Sequence, residues 1–255
     1  MRKQNLIGVV ILLLSGIYPL FATNIYPNWF IHPGNYPQLM TGYTYNGMSA
    51  KDDAVNMYCA FQECIVVGTL EVFEENESDD LLKNSNYFYY FSPDSVEAIE
   101  DNVFEVDAFD VSAFTHDRIA AFSFDSTTRP TDPWIHVENI ERPSWVDQNF
   151  FQDNRFYYGV GMYTALGREN DGWKTAEEQA IFSILTALAV EVHHLKIDVR
   201  SSDETTGSID QISFLKIKYL LRNIRVMERY PDRQNKLYYV LVRIPRNGLV
   251  SPLMR

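Results

Sequence analysis

Pro143-Ser144-Trp145-Val146 is followed, about a dozen residues on, by Tyr158-Gly159-Val160-Gly161-Met162-Tyr163, a polar loop, and an apolar-striped stretch over residues 174–193. The first half of the chain runs in the same order: Pro27-Asn28-Trp29-Phe30, then Thr41-Gly42-Tyr43-Thr44-Tyr45, a polar loop, and a striped stretch over residues 51–68. Self-similarity of this kind marks one unit written twice. In the later stretch Ala176, Ala180, Ile184, Ala187, Leu188 and Glu191 fall on i+3 and i+4 steps, mostly apolar, with Glu177 and Glu178 off that face. Ala54, Met57, Tyr58, Phe61, Ile65 and Val66 repeat the pattern in the earlier one. This spacing predicts two helices. Asp52, Asp53, Glu177 and Glu178 fall in their expected first turns, where a carboxylate favours the positive end of the helix dipole. The small residues on the later face let that helix lie close to a sheet.

Composition and turns predict the strands. Residues 237–244 are β-branched and aromatic, stop at Pro245, and pair with residues 223–230 across Pro231-Asp232-Arg233-Gln234-Asn235, a run with turn chemistry. Residues 103–111 and 118–124 take the same two places in the first half. Strands at 39–45 and 156–163 open the two units, and strands at 69–73 and 195–200 follow the two helices. Residues 95–100 and 208–219 are expected as helical crossing segments. The expected fold class is therefore α+β: two tandem two-layer α/β units, each a long helix packed on a small mixed or antiparallel sheet. The units span residues 23–125 and 143–255. Between them, residues 126–142 are rich in Pro, Thr and Asp, as a short semi-rigid linker should be. Pro133-Trp134 belongs to this joint and not to a third repeat.

The amino end reads as an address. Met1-Arg2-Lys3 is basic, residues 6–14 are apolar, Ser15, Gly16 and Pro19 break a helix, and Ala22 is small. That order predicts a secretory signal peptide over residues 1–22, cleaved after Ala22. The apolar run is shorter than the roughly 20 residues a membrane span needs. Membrane association is thus expected to be peripheral at most, or through the same segment left uncleaved as an anchor. Cleavage removes Arg2 and Lys3 and no acid, taking the formal charge from −12 to −14. Such a surface repels nucleic acid and anionic lipid, so neither is an expected partner. Cys59 and Cys64 fall in the first predicted helix, where a separation of five residues turns their side chains about 140° apart. Packed free thiols are expected there and not a disulfide.

Pro143-Ser144-Trp145-Val146, Tyr157-Tyr158-Gly159-Val160-Gly161, the alanine-rich helix and Tyr238-Tyr239-Val240-Leu241-Val242 resemble the Lpp-twenty-like family of small bacterial envelope lipoproteins. The resemblance covers about 100 residues of the second unit and, more faintly, the first. It implies a periplasmic or outer-membrane-associated protein, with some relatives tied to flagellar or surface assembly and no established enzymatic activity. The chain departs from the family in having no lipid-attachment cysteine after its apolar run.

No chemical motif stands out. Gly159-Val160-Gly161 lacks a third glycine at dinucleotide-loop spacing, and serves better to let a helix pack closely on a strand. His193 and His194 are adjacent and cannot converge on one metal, and His32, His116 and His136 are scattered; no metal site and no cofactor are expected. The acidic run at residues 74–80 lacks the turn glycine of a calcium loop. No serine or cysteine sits in a nucleophile elbow, so no catalytic residue is assigned. Trp29 and Trp145 take equivalent places, which points to a shared role in plugging the core. Tyr87, Phe88, Tyr89, Tyr90 and Phe91 interrupt the first unit where the second has only residues 203–207. They form the candidate partner-binding patch, the alternative being that they cover the other copy or extend the sheet. The expected function is a non-enzymatic cell-envelope module that binds another envelope protein. The alternative is a periplasmic ligand-binding or accessory subunit using the cleft between the units. A hydrolytic enzyme is a third class, and oligomeric state is left open.

Overall fold

Two glycine-bearing strands and the helices that cross them organise the molecule. The computed structural model describes residues 24–45, 47–73, 86–90, 93–111, 117–164, 167–201 and 212–250, with backbone alone for 68–73, 86–90, 93–95, 189–201 and 212–217. The predicted signal segment and the acidic run at 74–80 lie outside the described residues. The first half contains β1 (Ile25–Tyr26), α1 (Asn28–Ile31), β2 (Met40–Tyr43), α2 (Ala50–Gln62), β3 (Glu63–Phe73), β4 (Asn86–Tyr90), α3 (Pro93–Glu100), β5 (Phe104–Asp110) and β6 (Arg118–Ser123). After β7 (Ile135–His136) come β8 (Phe150–Gln152), β9 (Phe156–Thr164), α4 (Glu169–Ser201), β10 (Ile212–Arg222), β11 (Arg225–Asp232), β12 (Leu237–Pro245) and β13 (Leu249–Val250).

These strands make four antiparallel sheets, ordered β2-β6-β5, β11-β12-β9-β8, β13-β10-β3-β4 and β1-β7. Helix α2 begins in a capping box, with the Ser49 hydroxyl accepting from Asp52 N–H and the Asp52 carboxylate from Ser49 N–H, so two of the turn's orphan donors are satisfied. It crosses β2 so closely that a Cβ on Gly42 would stand 1.8 Å from the Ala50 carbonyl oxygen. Helix α4 crosses β9 in the same way. A Cβ on Gly159 would meet the Ala180 carbonyl oxygen at 2.0 Å, and one on Gly161 that of Ala176 at 1.9 Å. Only hydrogen in place of a side chain permits this approach.

The two tryptophans are matched in surroundings as well as in sequence. Trp29 donates its indole N–H to Asp107 Oδ2 (2.7 Å), and Trp145 donates to Glu228 Oε2 (2.6 Å). Each acceptor lies just past a register shift in its strand, between Glu105 and Asp107 in β5 and between Val226 and Glu228 in β11. A bulge locally re-aims the strand, and here it brings a carboxylate to the indole. Both rings are buried.

The expectation of two tandem units, each with a long helix on its own small sheet, is corrected. Strand outweighs helix, and among the described residues α4, at 33 residues, is the one long helix. Helix α2 ends at Gln62, and the chain passes directly into β3 at Glu63-Cys64-Ile65-Val66-Val67. The apolar, β-branched side chains that continue the helical stripe in sequence favour a strand once a pairing partner exists. That partner is β10, paired in register from Glu63↔Arg222 to Phe73↔Ile212. A strand from each half thus builds a sheet that neither half owns. Of residues 208–219, expected to be helical, 208–211 lie outside the described residues and 212–219 supply most of β10. Residues 195–200, expected as a strand, continue α4, because no glycine or proline falls between Trp173 and Ser201. Cys59 and Cys64 therefore sit on different elements, a helix and a strand; both are buried free thiols, and burial pushes that of Cys64 up to about 12.

The largest cluster of buried side chains draws on both halves, joining Tyr26, Phe30, Tyr43, Phe109 and Ile119 to Trp173, Ile184, Leu185, Val240 and Ile244. Residues 131–255 expressed alone are expected to lose the cooperative melting of the full chain, since β10 would lack β3 and Trp173 would lack Tyr26 and Phe30. Circular dichroism against temperature checks this: a sharp two-state transition for the fragment would show an independent second half.

Candidate functional site

The aromatic patch singled out in the sequence falls on β4, the last strand in its sheet order. β4 pairs antiparallel with β3 from Asn86↔Thr69 to Tyr90↔Ile65. Tyr87, Phe88, Tyr89 and Tyr90 are in the strand, and Phe91 lies outside the described residues. Among the described residues β4 has a strand partner on one side only.

A second concentration of chemistry is not legible in the sequence as a site. The first turns of α4 carry Arg168 just ahead of the helix and Glu169, Asn170, Lys174 and Glu177 within it, and each bonds to the first half. Arg168 pairs with Asp117, and Glu169 accepts from the Tyr26 hydroxyl and from the Trp173 indole (3.2 Å). Asn170 Nδ2 donates to the Thr44 carbonyl (2.9 Å). Lys174 Nζ lies 2.6 Å from Asp53 Oδ1, while Asp53 Oδ2 accepts from Tyr43 N–H (3.0 Å). Glu177 Oε1 accepts from the Tyr43 hydroxyl (2.5 Å) and from Arg229 Nη2 (2.5 Å). Arg229 also donates to the Phe30 carbonyl (2.6 Å) and lies 4.4 Å above the Phe30 ring.

Both ion pairs are nearly dry, with side chains 5% and 4% exposed for Lys174 and Asp53 and 1% and 4% for Arg229 and Glu177. Burial pushes the Asp53 carboxyl up, against the pull of the Lys174 ammonium. In such surroundings a charge is tolerated only when paired and hydrogen-bonded. These carboxylates are engaged by structural partners, so the arrangement clamps α4 to the first half.

Burial likewise raises the phenols of Tyr26, Tyr43 and Tyr238 well above their ordinary value. In the unfolded chain they would ionise at about pH 10, whereas in the fold they keep their protons. The folded state then holds protons that the unfolded state releases. Stability from these groups is full below that pH and falls as pH rises above it. Urea midpoints measured from about pH 8 to about pH 11 should decline beyond about pH 10, with phenolate absorbance of the core tyrosines appearing only on unfolding.

Next to the clamp, a groove of about 210 Å³ opens where residues 33–41 and α2 from the first half meet the start of β11 from the second. Its walls include Met40, Met57, Tyr58, Phe61 and Phe124, and it reaches Glu177 and Arg229. Tyr58 and Phe124 meet edge to face with centroids 5.2 Å apart. Arg225, an exposed residue, also lines it.

No family model, no curated protein and no solved structure matches the chain. The geometry is thus the ground for a functional reading.

Gly159 and Gly161 face the α4 backbone, in the close strand–helix contact expected of them. His32 and His136 lie in separate segments, His116 is outside the described residues, and no group of three or more potential metal ligands is found among those described. Among the same residues, no helix is long and apolar enough to cross a membrane. Asp53 lies in the first turn of α2, as expected, and its carboxylate also meets Lys174. Glu177, expected in a first turn, instead lies two turns into a helix that starts at Glu169. Arg229 carries no such signal in the sequence, because the same hairpin also holds Arg225, Glu228 and Arg243.

Proposed function

We propose that this chain is an exported interaction module of the cell envelope, without catalysis of its own, that docks another envelope protein along the outer edge of β4. The observation that carries the reading is β4 itself. Among the described residues it is the last strand of its sheet, and Asn86-Tyr87-Phe88-Tyr89-Tyr90-Phe91 contains no charge and no proline. Sheets ordinarily protect an edge with lysine, proline, a bulge or a covering segment, because unpaired backbone groups attract other strands. An uncharged aromatic edge suits strand addition, in which main-chain hydrogen bonds give affinity and alternate side chains give selectivity. The basic start and apolar run support export, and the resemblance of Pro143-Ser144-Trp145-Val146 and Tyr157-Tyr158-Gly159-Val160-Gly161 to the Lpp-twenty-like family supports an envelope location.

A photo-crosslinking residue placed at Tyr89 of the full chain, in its own cells, tests this. The expected result is a discrete adduct with one envelope protein, suppressed by Phe88→Lys together with Tyr90→Lys. The same probe at Gln234, in the exposed turn between β11 and β12, should give none. No adduct at Tyr89, or the same adducts at both positions, would overturn the proposal.

A further inference from the structure

The groove beside the clamp has a composition that points to a ligand, independently of the β4 edge. Four aromatic rings, Tyr36, Tyr58, Phe61 and Phe124, and the thioethers of Met40 and Met57 contribute to its lining. Phe124 is 44% exposed in spite of its size, so the apolar wall is open to solvent. At the same groove stands Arg225. Among the described residues no hydrogen bond or ion pair holds its guanidinium, although the chain carries a formal charge of −12. Its cross-strand neighbour is Arg243, another cation. Like charges directly opposite one another repel, and an anion beside them would relieve that repulsion.

We infer that this groove binds a small aromatic carboxylate, with the ring against the aromatic and thioether wall and the carboxylate on Arg225. The volume sets the size. At about 210 Å³ the groove is smaller than the cavities that take drug-sized ligands, and fits one ring with a short acidic tail. Charge complementarity sets the head group, because a guanidinium matches a carboxylate with two parallel hydrogen bonds. Thioether sulfur and ring edges favour an aromatic body over a plain alkyl one. The buried pairs Lys174–Asp53 and Arg229–Glu177 lie behind the site and are already satisfied, which leaves Arg225, among the lining residues, as the cation available to a ligand.

Titration of the full chain with 3-phenylpropionate, followed by calorimetry or ligand-observed nuclear magnetic resonance, tests the inference. Saturable binding is expected at millimolar concentration or below, the range proper to a ligand of about eleven heavy atoms. Arg225→Gln should weaken it by about tenfold or more while leaving the thermal transition in place. The neutral amide, 3-phenylpropanamide, should bind the two proteins equally and more weakly than the acid binds the parent chain. Met57→Trp, which fills the groove, should abolish binding of both compounds. No saturable binding by the parent chain, or an Arg225→Gln variant that binds the acid as well as the parent does, would overturn it. A partner docked at β4 would neither cause nor prevent these results.

Discussion

Gly161→Ala should cost the protein about 3 kcal/mol or more, toward the upper end of what an overpacked core position costs. The added Cβ would stand 1.9 Å from the Ala176 carbonyl oxygen and 2.4 Å from Ala180 N. Both are helix backbone, and neither can swing aside as a side-chain end can. To reach ordinary contact at 3.4 Å, α4 would have to retreat from β9 by about 1.5 Å. That movement would loosen the 4.4 Å contact of Trp173 with Tyr238 and the clamp at the start of α4. Gly159→Ala should act similarly through Ala180, and the double substitution should cost about 6 kcal/mol or more, a large part of an ordinary protein's stability of about 5–15 kcal/mol. Gly167→Ala supplies the comparison. Gly167 has φ of +102° but nothing within 4 Å of its built Cβ, so only backbone strain of about 1–2 kcal/mol is expected. Urea denaturation of the three single variants reads the ordering. Equal small losses at all of them would show that α4 does not depend on hydrogen at position 161.

Glu177→Ala is expected to destabilise by about 3–5 kcal/mol, the cost of leaving one member of a buried ion pair without its partner. Arg229, whose side chain is 1% exposed, would retain the Phe30 carbonyl and ring but lose its counter-charge, and the Tyr43 hydroxyl would lose its acceptor. Glu177→Gln should cost less, because an amide oxygen still accepts from Tyr43 and Arg229. Combining Glu177→Leu with Arg229→Met removes both charges at similar volume and should restore much of the loss. A double-mutant cycle on urea midpoints measures this coupling. Additive effects of the two substitutions would show that the pair does not act as a unit.

Parts of the architecture are readable in the sequence because they depend on local spacing. The hairpin of β11 and β12, the strands β2, β5, β6 and β9, and the existence of both crossing helices follow from alternation, turn residues and 3.6-residue stripes. The small residues of the α4 stripe and the Gly159-Val160-Gly161 stretch announce a close strand–helix contact, and the structure places Ala176 and Ala180 against those glycines. Residues 63–68 and, of the stretch 208–219, the described residues 212–219 depart from expectation for a shared reason. Each mixes apolar residues with polar ones in a pattern that suits either state in isolation, and what decides between them is a strand about 150 residues away in sequence. Pattern along one segment carries no record of that partner.

The candidate sites divide in the same way. The aromatic run is visible as an interruption of the repeat, but the place of residues 86–90 at the end of a sheet, among the described residues, comes from the pairing of β3 with β10. Asp53 and Glu177 resemble dipole partners, since acids near helix starts are common and serve that purpose from the surface. Only the docking of α4 against α2, β2 and β11 shows them dry and facing Lys174, Tyr43 and Arg229.

Written along the chain are a matched pair of strand–helix contacts, two equivalent tryptophans and a strong acidity without a legible catalytic motif. That the two halves are not separate units emerges only on folding. Folding joins β3 to β10, merges the apolar faces into one main core and encloses the ion pairs between the halves. The difference is one of range. Periodicity, capping and turn chemistry act over a few residues, so a linear pattern records them. Burial, strand partnership and the pairing of a dry charge are set by which distant segments meet, and that meeting exists only in the folded protein.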